Sequence, residues 1–130
     1  MTVTVQGLVT ITAGAAQTFV QRAELPLLVR CVLVDASPAD ISALQADSLL
    51  VGTSEHLMRP IALPLLLQAT LRFVWEPACD LSLRIANHGS SSARVRFALG
   101  CARVARGRPF HADDELERVV VALELPKVAT

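Results

Sequence analysis

The sequence predicts an all-β protein, an antiparallel β-sandwich of jelly-roll or immunoglobulin-like type with about eight strands. Three observations lead to this class. Runs in which apolar and polar residues alternate recur along the chain, as expected of half-buried strands. Turn residues separate these runs at short spacing. A single segment, near residues 37–46, has the signals of a short helix.

The first part of the chain supplies several strand patterns and that helix. Alternation in TVTVQGLVTIT, resumed in QTFVQRAEL after a GAA turn, predicts two strands. PLLVRCVLVDA is apolar almost without interruption, which predicts a strand covered on both faces. Ser37, Pro38 and Asp40 fit the N-cap, the first position and the first turn of a helix. SLLVGT then returns to an extended pattern.

The apolar stretch MRPIALPLLLQATLRFVW, residues 58–75, is predicted to be a core strand. A membrane-spanning helix needs about 20 consecutive apolar residues. The uncharged run covers residues 60–71 and contains two prolines and a glutamine, so we expect no membrane span. After Pro64 a helix is conceivable, but the FVW ending and the flanking Pro64 and Pro77 favour a strand.

The C-terminal part predicts a hairpin and a last strand. LSLRIANHGSSSARVRFALGCARVA contains two alternating runs around a polar turn, as in a hairpin with one buried and one solvated face. The predicted inward residues are Leu81, Leu83, Ile85, Val95, Phe97 and Leu99. ERVVVALELP supplies the last strand, and we expect residues 1–130 to form a single domain.

Composition limits the classes of partner. Hydrophobic residues make up 52% of the chain and charged residues 18%, against roughly 25% charged in an average soluble domain. This surplus predicts either a generous core or apolar surface that an oligomer hides. The formal net charge is zero, so no general affinity for nucleic acid or membranes follows from it.

Residues that could carry chemistry are few and scattered. Cys31, Cys79 and Cys101 are widely spaced, which predicts buried thiols in a reducing compartment and not a zinc site. The histidines fall in three separate turns or connectors: His56, His88 and His111. Phosphate-binding loops and nucleophile motifs do not occur. We therefore expect no enzymatic activity, no metal and no cofactor.

The charge pattern holds one candidate contact site. Residues 81–112 contain no Asp or Glu, yet they hold six arginines that could form a protein-contact strip: Arg84, Arg94, Arg96, Arg103, Arg106 and Arg108. Alternation places the first three on the exposed face of the predicted hairpin. An acidic run follows and is the candidate mate of the strip: Asp113, Asp114, Glu115 and Glu117.

Three interpretations of this strip stay open. It pairs with the acidic run within the chain or across a neighbour, or it recognises an acidic protein surface, or it binds nucleic acid. Nucleic acid is the least favoured partner, because the chain has no Tyr and 4% aromatic residues, whereas single-strand binders stack bases on aromatic side chains.

The layout resembles a known class of proteins. A small, cysteine-poor β-sandwich with leucine-rich strands and the alternating segment LRIANHGSSSARVRFALG is similar to accessory structural proteins of tailed phage particles, such as capsid decoration or cement proteins. The resemblance implies a β-sandwich or β-tulip fold that is often trimeric, and it assigns no site residues. Single jelly-roll subunits of icosahedral capsids are a related class.

We therefore expect a non-enzymatic structural protein of a virus particle, which decorates or cements a capsid through protein–protein contacts. Its expected partners are itself, as a homo-oligomer with a trimer as one form, and a capsid or other virion protein. No secretory signal is visible, so the expected location is the virion after synthesis in the host cytoplasm. The alternative is a soluble β-sandwich binding module that recognises a protein or a small ligand, which predicts a monomer with a defined pocket.

Overall fold

The structure, a computed structural model, describes residues 8–103 and 118–125. Within these residues the chain forms ten strands and two short helices. In chain order they are β1 (Val9–Ile11), β2 (Ala16–Arg22), β3 (Leu27–Asp35), α1 (Pro38–Ala43), β4 (Leu44–Val51), β5 (Ser54–Glu55), β6 (Ile61–Ala62), α2 (Leu63–Gln68), β7 (Phe73–Trp75), β8 (Asp80–Asn87), β9 (Ala93–Arg103) and β10 (Arg118–Ala122).

The strands form two antiparallel sheets, which confirms the predicted β-sandwich. Sheet I has the order β1-β9-β3-β7, with β10 also beside β9, and sheet II has the order β2-β8-β4-β5, with β6 also beside β4. Most of the strands that follow each other, such as β1 and β2 or β8 and β9, therefore lie in opposite sheets. This interleaved order is that of a jelly roll, one of the two predicted types.

One apolar cluster fills the space between the sheets. Phe19 of sheet II meets Phe97 of sheet I edge to face, with 4.9 Å between ring centroids, a favourable arrangement for aromatic pairs. Trp75 is fully buried, and its Nε1–H donates to the carbonyl oxygen of Cys79 over 2.8 Å. The inward residues predicted for the two C-terminal runs are all buried: Leu81, Leu83, Ile85, Val95, Phe97 and Leu99.

One lateral edge of the sandwich is closed by the chain itself. After β10, the Leu123 N–H donates to the Phe97 carbonyl in sheet I over 3.0 Å. The next residue, Glu124, exchanges two backbone hydrogen bonds with Val20 of sheet II, at 2.7 and 3.1 Å. The segment therefore passes from one sheet to the other and satisfies backbone groups of both.

The helix predicted from Ser37 is confirmed. The Ser37 hydroxyl accepts a hydrogen bond from the Asp40 N–H over 3.1 Å, and Pro38 occupies the first turn. The Asp40 carboxylate also accepts from the Arg94 N–H over 3.2 Å, which ties α1 to β9. The helix ends at Ala43 and not near residue 46, because Leu44 already begins β4.

The prediction of a core strand through residues 58–75 was wrong in its middle part. Leu63–Gln68 forms α2, with Pro64 in the first turn, where the missing N–H removes no helical hydrogen bond. Leu63 and Leu66, three residues apart, lie on the buried face of this helix. The strand begins only at Phe73. No helix within residues 8–103 and 118–125 is long and apolar enough to cross a membrane.

The predicted hairpin of β8 and β9 was also wrong. β8 pairs with β2 and β4 in sheet II, whereas β9 pairs with β1, β3 and β10 in sheet I. Both strands alternate as predicted, but their apolar faces meet across the core and the strands are not paired side by side. Alternation shows which residues of a strand face the core, but it does not show which strand lies beside it in the sheet.

Candidate functional site

The arginines of the predicted strip do not share one surface. Arg84 lies on the outer face of sheet II, while Arg94 and Arg96 lie on the outer face of sheet I. These faces point in opposite directions, which corrects the prediction that all three line one hairpin face. Arg103 ends β9. The remaining predicted residues lie outside the described residues: Arg106, Arg108, Asp113, Asp114, Glu115 and Glu117.

Two of these arginines form ion pairs with aspartates of their own sheet. The Arg96 Nη2 lies in close contact with the Asp35 Oδ2 on the outer face of sheet I. The Arg84 Nε lies 3.7 Å from the Asp47 Oδ2 on sheet II. Such exposed pairs contribute about 0–1 kcal/mol to the free energy of unfolding. Pairing of the strip with residues 113–117 stays a prediction.

Next to the Arg96–Asp35 pair, the outer face of sheet I is apolar. The cross-strand register of β10, β9 and β3 sets two successive rows there. One row is Ala122, Ala98 and Leu33, and the other is Val120, Gly100 and Cys31. We call these six residues the sheet I patch.

The sheet I patch is open to solvent. Leu33 is 40% exposed and Val120 is 64% exposed. The following row begins with the exposed Arg118 of β10 and continues with Ala102 and Leu28, whose side chains are already buried within the chain. Large exposed apolar side chains gathered in adjacent rows are typical of a surface that a partner covers.

The outer face of sheet II differs in character. It has an ion pair at one end, where the Arg22 Nε lies 2.9 Å from the Asp80 Oδ1, and the Arg84–Asp47 pair near its centre. The cross-strand rows between these pairs mix polar and apolar residues: Thr18, Arg84 and Ser48 in one row, and Val20, Ser82 and Leu50 in the next. Among the described strand residues, the large apolar side chains that are exposed all belong to sheet I: Leu33, Val74 and Val120.

The sheet I patch has a defined relief. Along β9 it presents Ala98 and Gly100, which have no side-chain atom beyond Cβ, between the larger Leu33 of β3 and Val120 of β10. The Cys31 sulfur forms part of the floor, because a Cβ placed on Gly100 would lie 2.5 Å from it. The patch is therefore a shallow trough along β9, with Leu33 raised on one side at Ala98 and Val120 raised on the other side at Gly100.

The reactive groups of the described residues are dispersed. All three cysteines are free thiols, and no three His, Cys, Asp or Glu side chains within residues 8–103 and 118–125 are grouped to hold a metal ion. Burial, with a smaller contribution from nearby Cys31, raises the pKa of the Cys101 thiol to about 12, so this thiol is protonated at neutral pH. The His56 ring stacks on Phe73 with 4.0 Å between centroids.

A second feature is an open cleft of about 430 Å³ beside α2, lined by residues 56–62 and Leu65. Its walls include the fully exposed Met58 and the 58% exposed Leu65. His56 and Arg59 are its polar members. The cleft is shallow and mostly apolar, so its shape suits an apolar segment more than a small polar ligand.

Sequence reasoning missed the sheet I patch, although two signals of it were present. The β3 sequence LLVRCVLVD is apolar at both inward and outward positions, and RFALGCA alternates large residues with Ala and Gly. The first signal predicted a strand covered on both faces; in the structure the outward Leu28 is buried and the outward Leu33 is exposed. The half of β3 that carries the exposed Leu33 forms part of the candidate surface.

Comparison of the chain with protein-family models, with curated proteins and with solved structures finds no match. The candidate surface therefore rests on its own geometry, namely the sheet I patch and the Arg96–Asp35 pair at its end.

Proposed function

We propose that this chain is a non-enzymatic structural protein of a virus particle, and that it is held there by contact of the sheet I patch with a neighbouring protein. The single observation that carries the proposal is the exposure of Leu33 and Val120 on the outer face of sheet I, whereas the described strands of sheet II have no large apolar side chain exposed to this degree. The proposed role is mechanical: the chain covers or joins other subunits and converts no substrate.

Burial of the patch is the proposed source of affinity. Removing apolar surface from water contributes about 25 cal/mol per Å². Complete burial of a Leu or Val side chain is therefore worth about 1.5–3 kcal/mol before the cost of association is subtracted. Leu33 is 40% exposed and Val120 is 64% exposed in the single chain, so a partner that covers them gains a substantial part of that amount.

The charges support a structural role more than a catalytic one. The described ion pairs stand on the outer faces, each between strands of one sheet: Arg22–Asp80, Arg84–Asp47 and Arg96–Asp35. Catalytic sites instead gather titratable groups in a cleft that excludes water and shifts their pKa values. Among the described residues the titratable group with a shifted pKa, Cys101, is a neutral thiol in the core.

The virus particle is proposed by analogy of fold. Jelly rolls build many viral capsid proteins, and they also build lectins and cupins, so the architecture by itself assigns no function. The analogy agrees with the resemblance to phage accessory proteins and with the exposed apolar face. It adds no site residues.

The test is sedimentation of virus particles from the cells that make the chain. We expect the wild-type chain to travel with the particles in a density gradient. Val120→Glu places a charge in the sheet I patch and should lower the bound fraction at least about tenfold, because an unpaired charge is costly to bury. Thr18→Glu, which adds the same charge on the outer face of sheet II, should leave it unchanged. A wild-type chain that stays at the top of the gradient contradicts the proposal.

The cleft beside α2 favours a second candidate function, a binding module for an apolar peptide segment. Met58 and Leu65 line this cleft and are exposed. In that case Leu65→Ser should abolish partner binding and Val120→Glu should not. The structural role predicts the reverse result for the same two variants.

A further inference from the structure

The outer face of sheet I is complementary to itself in shape. Along β9, Ala98 and Gly100 form the floor of the trough, and on β3 the larger Leu33 stands beside it. The Leu33 side chain therefore projects beside a depression of similar width at Ala98. Faces of packed sheets interdigitate in this way, with side chains of one sheet filling the spaces left by small residues of the other.

The charged residues at the end of the patch lie on the same two strands, which form two columns of side chains. Arg96 lies on β9, the column of small residues, and Asp35 lies opposite it on β3, the column of large residues. At this end of the patch β9 carries a small residue and a cation, and β3 carries a large residue and an anion; further along β3 the exposed Arg30, at the bulge, departs from this pattern.

From this pairing we propose that the occupant of the sheet I patch is a second copy of the chain, related by a two-fold axis parallel to the strands between β9 and β3. This inference deepens the proposed function, on which it rests, by naming the partner. This axis places β9 of each copy opposite β3 of the other copy. Leu33 of one copy then enters the trough at Ala98 of its mate, and Arg96 meets the mate's Asp35.

The charges select this axis over its neighbours. An axis along β9 itself would place Arg96 on Arg96, and an axis along β3 would place Asp35 on Asp35. Like charges in contact at an interface cost several kcal/mol, whereas the proposed axis makes an alternating square of two arginines and two aspartates. Aligned sheets cross at about 30°, a rotation that the long arginine side chains can follow.

The contact is small, so the dimer should be weak. The axis superposes two strand positions, β9 and β3, about 4.8 Å apart. Over about eight residues of length they give roughly 260 Å² per copy and roughly 500 Å² for the pair. Interfaces of this size belong to weak or transient complexes. We therefore expect a monomer–dimer equilibrium with a dissociation constant of about 10 µM or weaker.

The test is sedimentation equilibrium of the full chain from about 5 µM to about 1 mM, at low salt, where charge pairing is least screened. Wild type should move from monomer to dimer over this range. Arg96→Glu alone and Asp35→Arg alone should each weaken self-association at least about tenfold, because each brings like charges together. A mixture of the two variants should form a heterodimer, since every cross contact is then between opposite charges.

Two controls separate this contact from other effects. The Arg22–Asp80 pair is a matched ion pair on the outer face of sheet II, and a mixture of Arg22→Glu with Asp80→Arg should gain no association beyond wild type. Ala98→Leu leaves every charge in place and fills the trough. This variant should weaken the dimer although it adds apolar surface. Nonspecific hydrophobic association would instead become stronger. Circular dichroism confirms that each variant is folded.

Several outcomes overturn the second-copy inference: a wild-type monomer at all concentrations, a trimer, a mixture that stays monomeric, or an Ala98→Leu variant that dimerises more tightly. Its failure is distinct from failure of the proposed function. If Val120→Glu is lost from particles but the mixture does not dimerise, the structural role stands with another partner. If the heterodimer forms but the chain never sediments with particles, the dimer stands and the virion role fails.

Discussion

Gly100 and Cys31 share one space on the outer face of sheet I: a Cβ atom on Gly100 would lie 2.5 Å from the Cys31 sulfur. They are cross-strand partners on β9 and β3, and the next nearest atoms to that Cβ, the Cys31 oxygen and the Leu33 Cδ1, are 3.9 Å away. The φ angle of Gly100 is not among the positive ones. Glycine is therefore required at position 100 because the Cys31 thiol occupies the space that a Cβ atom would need.

This relationship predicts a double-mutant cycle with a large coupling term. Gly100→Ala alone should lower the free energy of unfolding by about 1–3 kcal/mol, the usual cost of overpacking. Cys31→Ala alone removes a half-buried sulfur and should cost less than about 1 kcal/mol. The double variant should recover most of the loss, because the remaining neighbours of the new Cβ are at ordinary contact distance. Urea unfolding measures all three; simple additivity would contradict the prediction.

The parts of the fold that sequence predicted are those fixed by local chemistry. Helix α1 was predicted from Ser37, Pro38 and Asp40, and the cap hydrogen bond from the Asp40 N–H to the Ser37 hydroxyl is present. The inward faces of β8 and β9 were predicted from alternation alone, which depends on the period of a strand and on nothing distant.

The parts that sequence could not predict depend on packing between distant segments. LPLLLQ is a short apolar run, which sheet and helix accommodate equally well; burial of Leu63 and Leu66 against the core decides for the helix. Alternation likewise identified Arg84 and Arg96 as outward residues. Their assignment to different sheets depends on the strand topology, which alternation does not determine.

Asn87 joins three segments and should be essential to stability. It is 1% exposed, and its Nδ2 donates to the carbonyls of Ile11 and Ser91 at 2.9 Å each, while its Oδ1 accepts from the Gly89 N–H at 2.9 Å. Asn87→Ala removes these three hydrogen bonds, of which the one to the Ile11 carbonyl is buried and the other two are partly buried, and should cost about 2–4 kcal/mol. Urea unfolding checks this value. Ser90→Ala, in the same turn and exposed, should change stability by less than about 0.5 kcal/mol.

Ala78 is the one non-glycine residue with a positive φ, 64°, among the described residues. Its N–H donates to the Ala23 carbonyl over 3.0 Å, so the turn before β8 holds it in this conformation. An L-residue there is strained by about 1–2 kcal/mol. After the entropic cost of glycine is subtracted, Ala78→Gly should stabilise the protein by about 0.5–1 kcal/mol.

A matched substitution distinguishes relief of strain from a general effect of glycine. Ala39 lies exposed in α1 with helical neighbours. Ala39→Gly should therefore destabilise the protein by about 0.5–1 kcal/mol. Thermal unfolding should move in opposite directions for the two variants. Equal shifts of the midpoint for both would show that the positive φ of Ala78 carries no strain.

The Cys101 thiol makes stability depend on alkaline pH in a predictable direction. Its pKa is near 9.0 in an unfolded chain and about 12 in the folded protein, chiefly because it is buried and secondarily because Cys31 is near. Between these values the unfolded state releases a proton that the folded state keeps, so unfolding becomes more favourable as pH rises. This contribution to stability is complete below pH 9 and is lost progressively toward pH 12.

Cys101→Ala isolates this effect. The chain has no Tyr, so few other side chains titrate between pH 8 and pH 10.5, and Cys31 and Cys79 are present in both proteins. The variant should be less stable than wild type at pH 7 by about 1 kcal/mol, the cost of a small cavity, and the gap should narrow as pH rises. Urea unfolding at pH 7, 9 and 10.5 measures it. A gap that stays constant or widens would show that the thiol is not kept protonated by the fold.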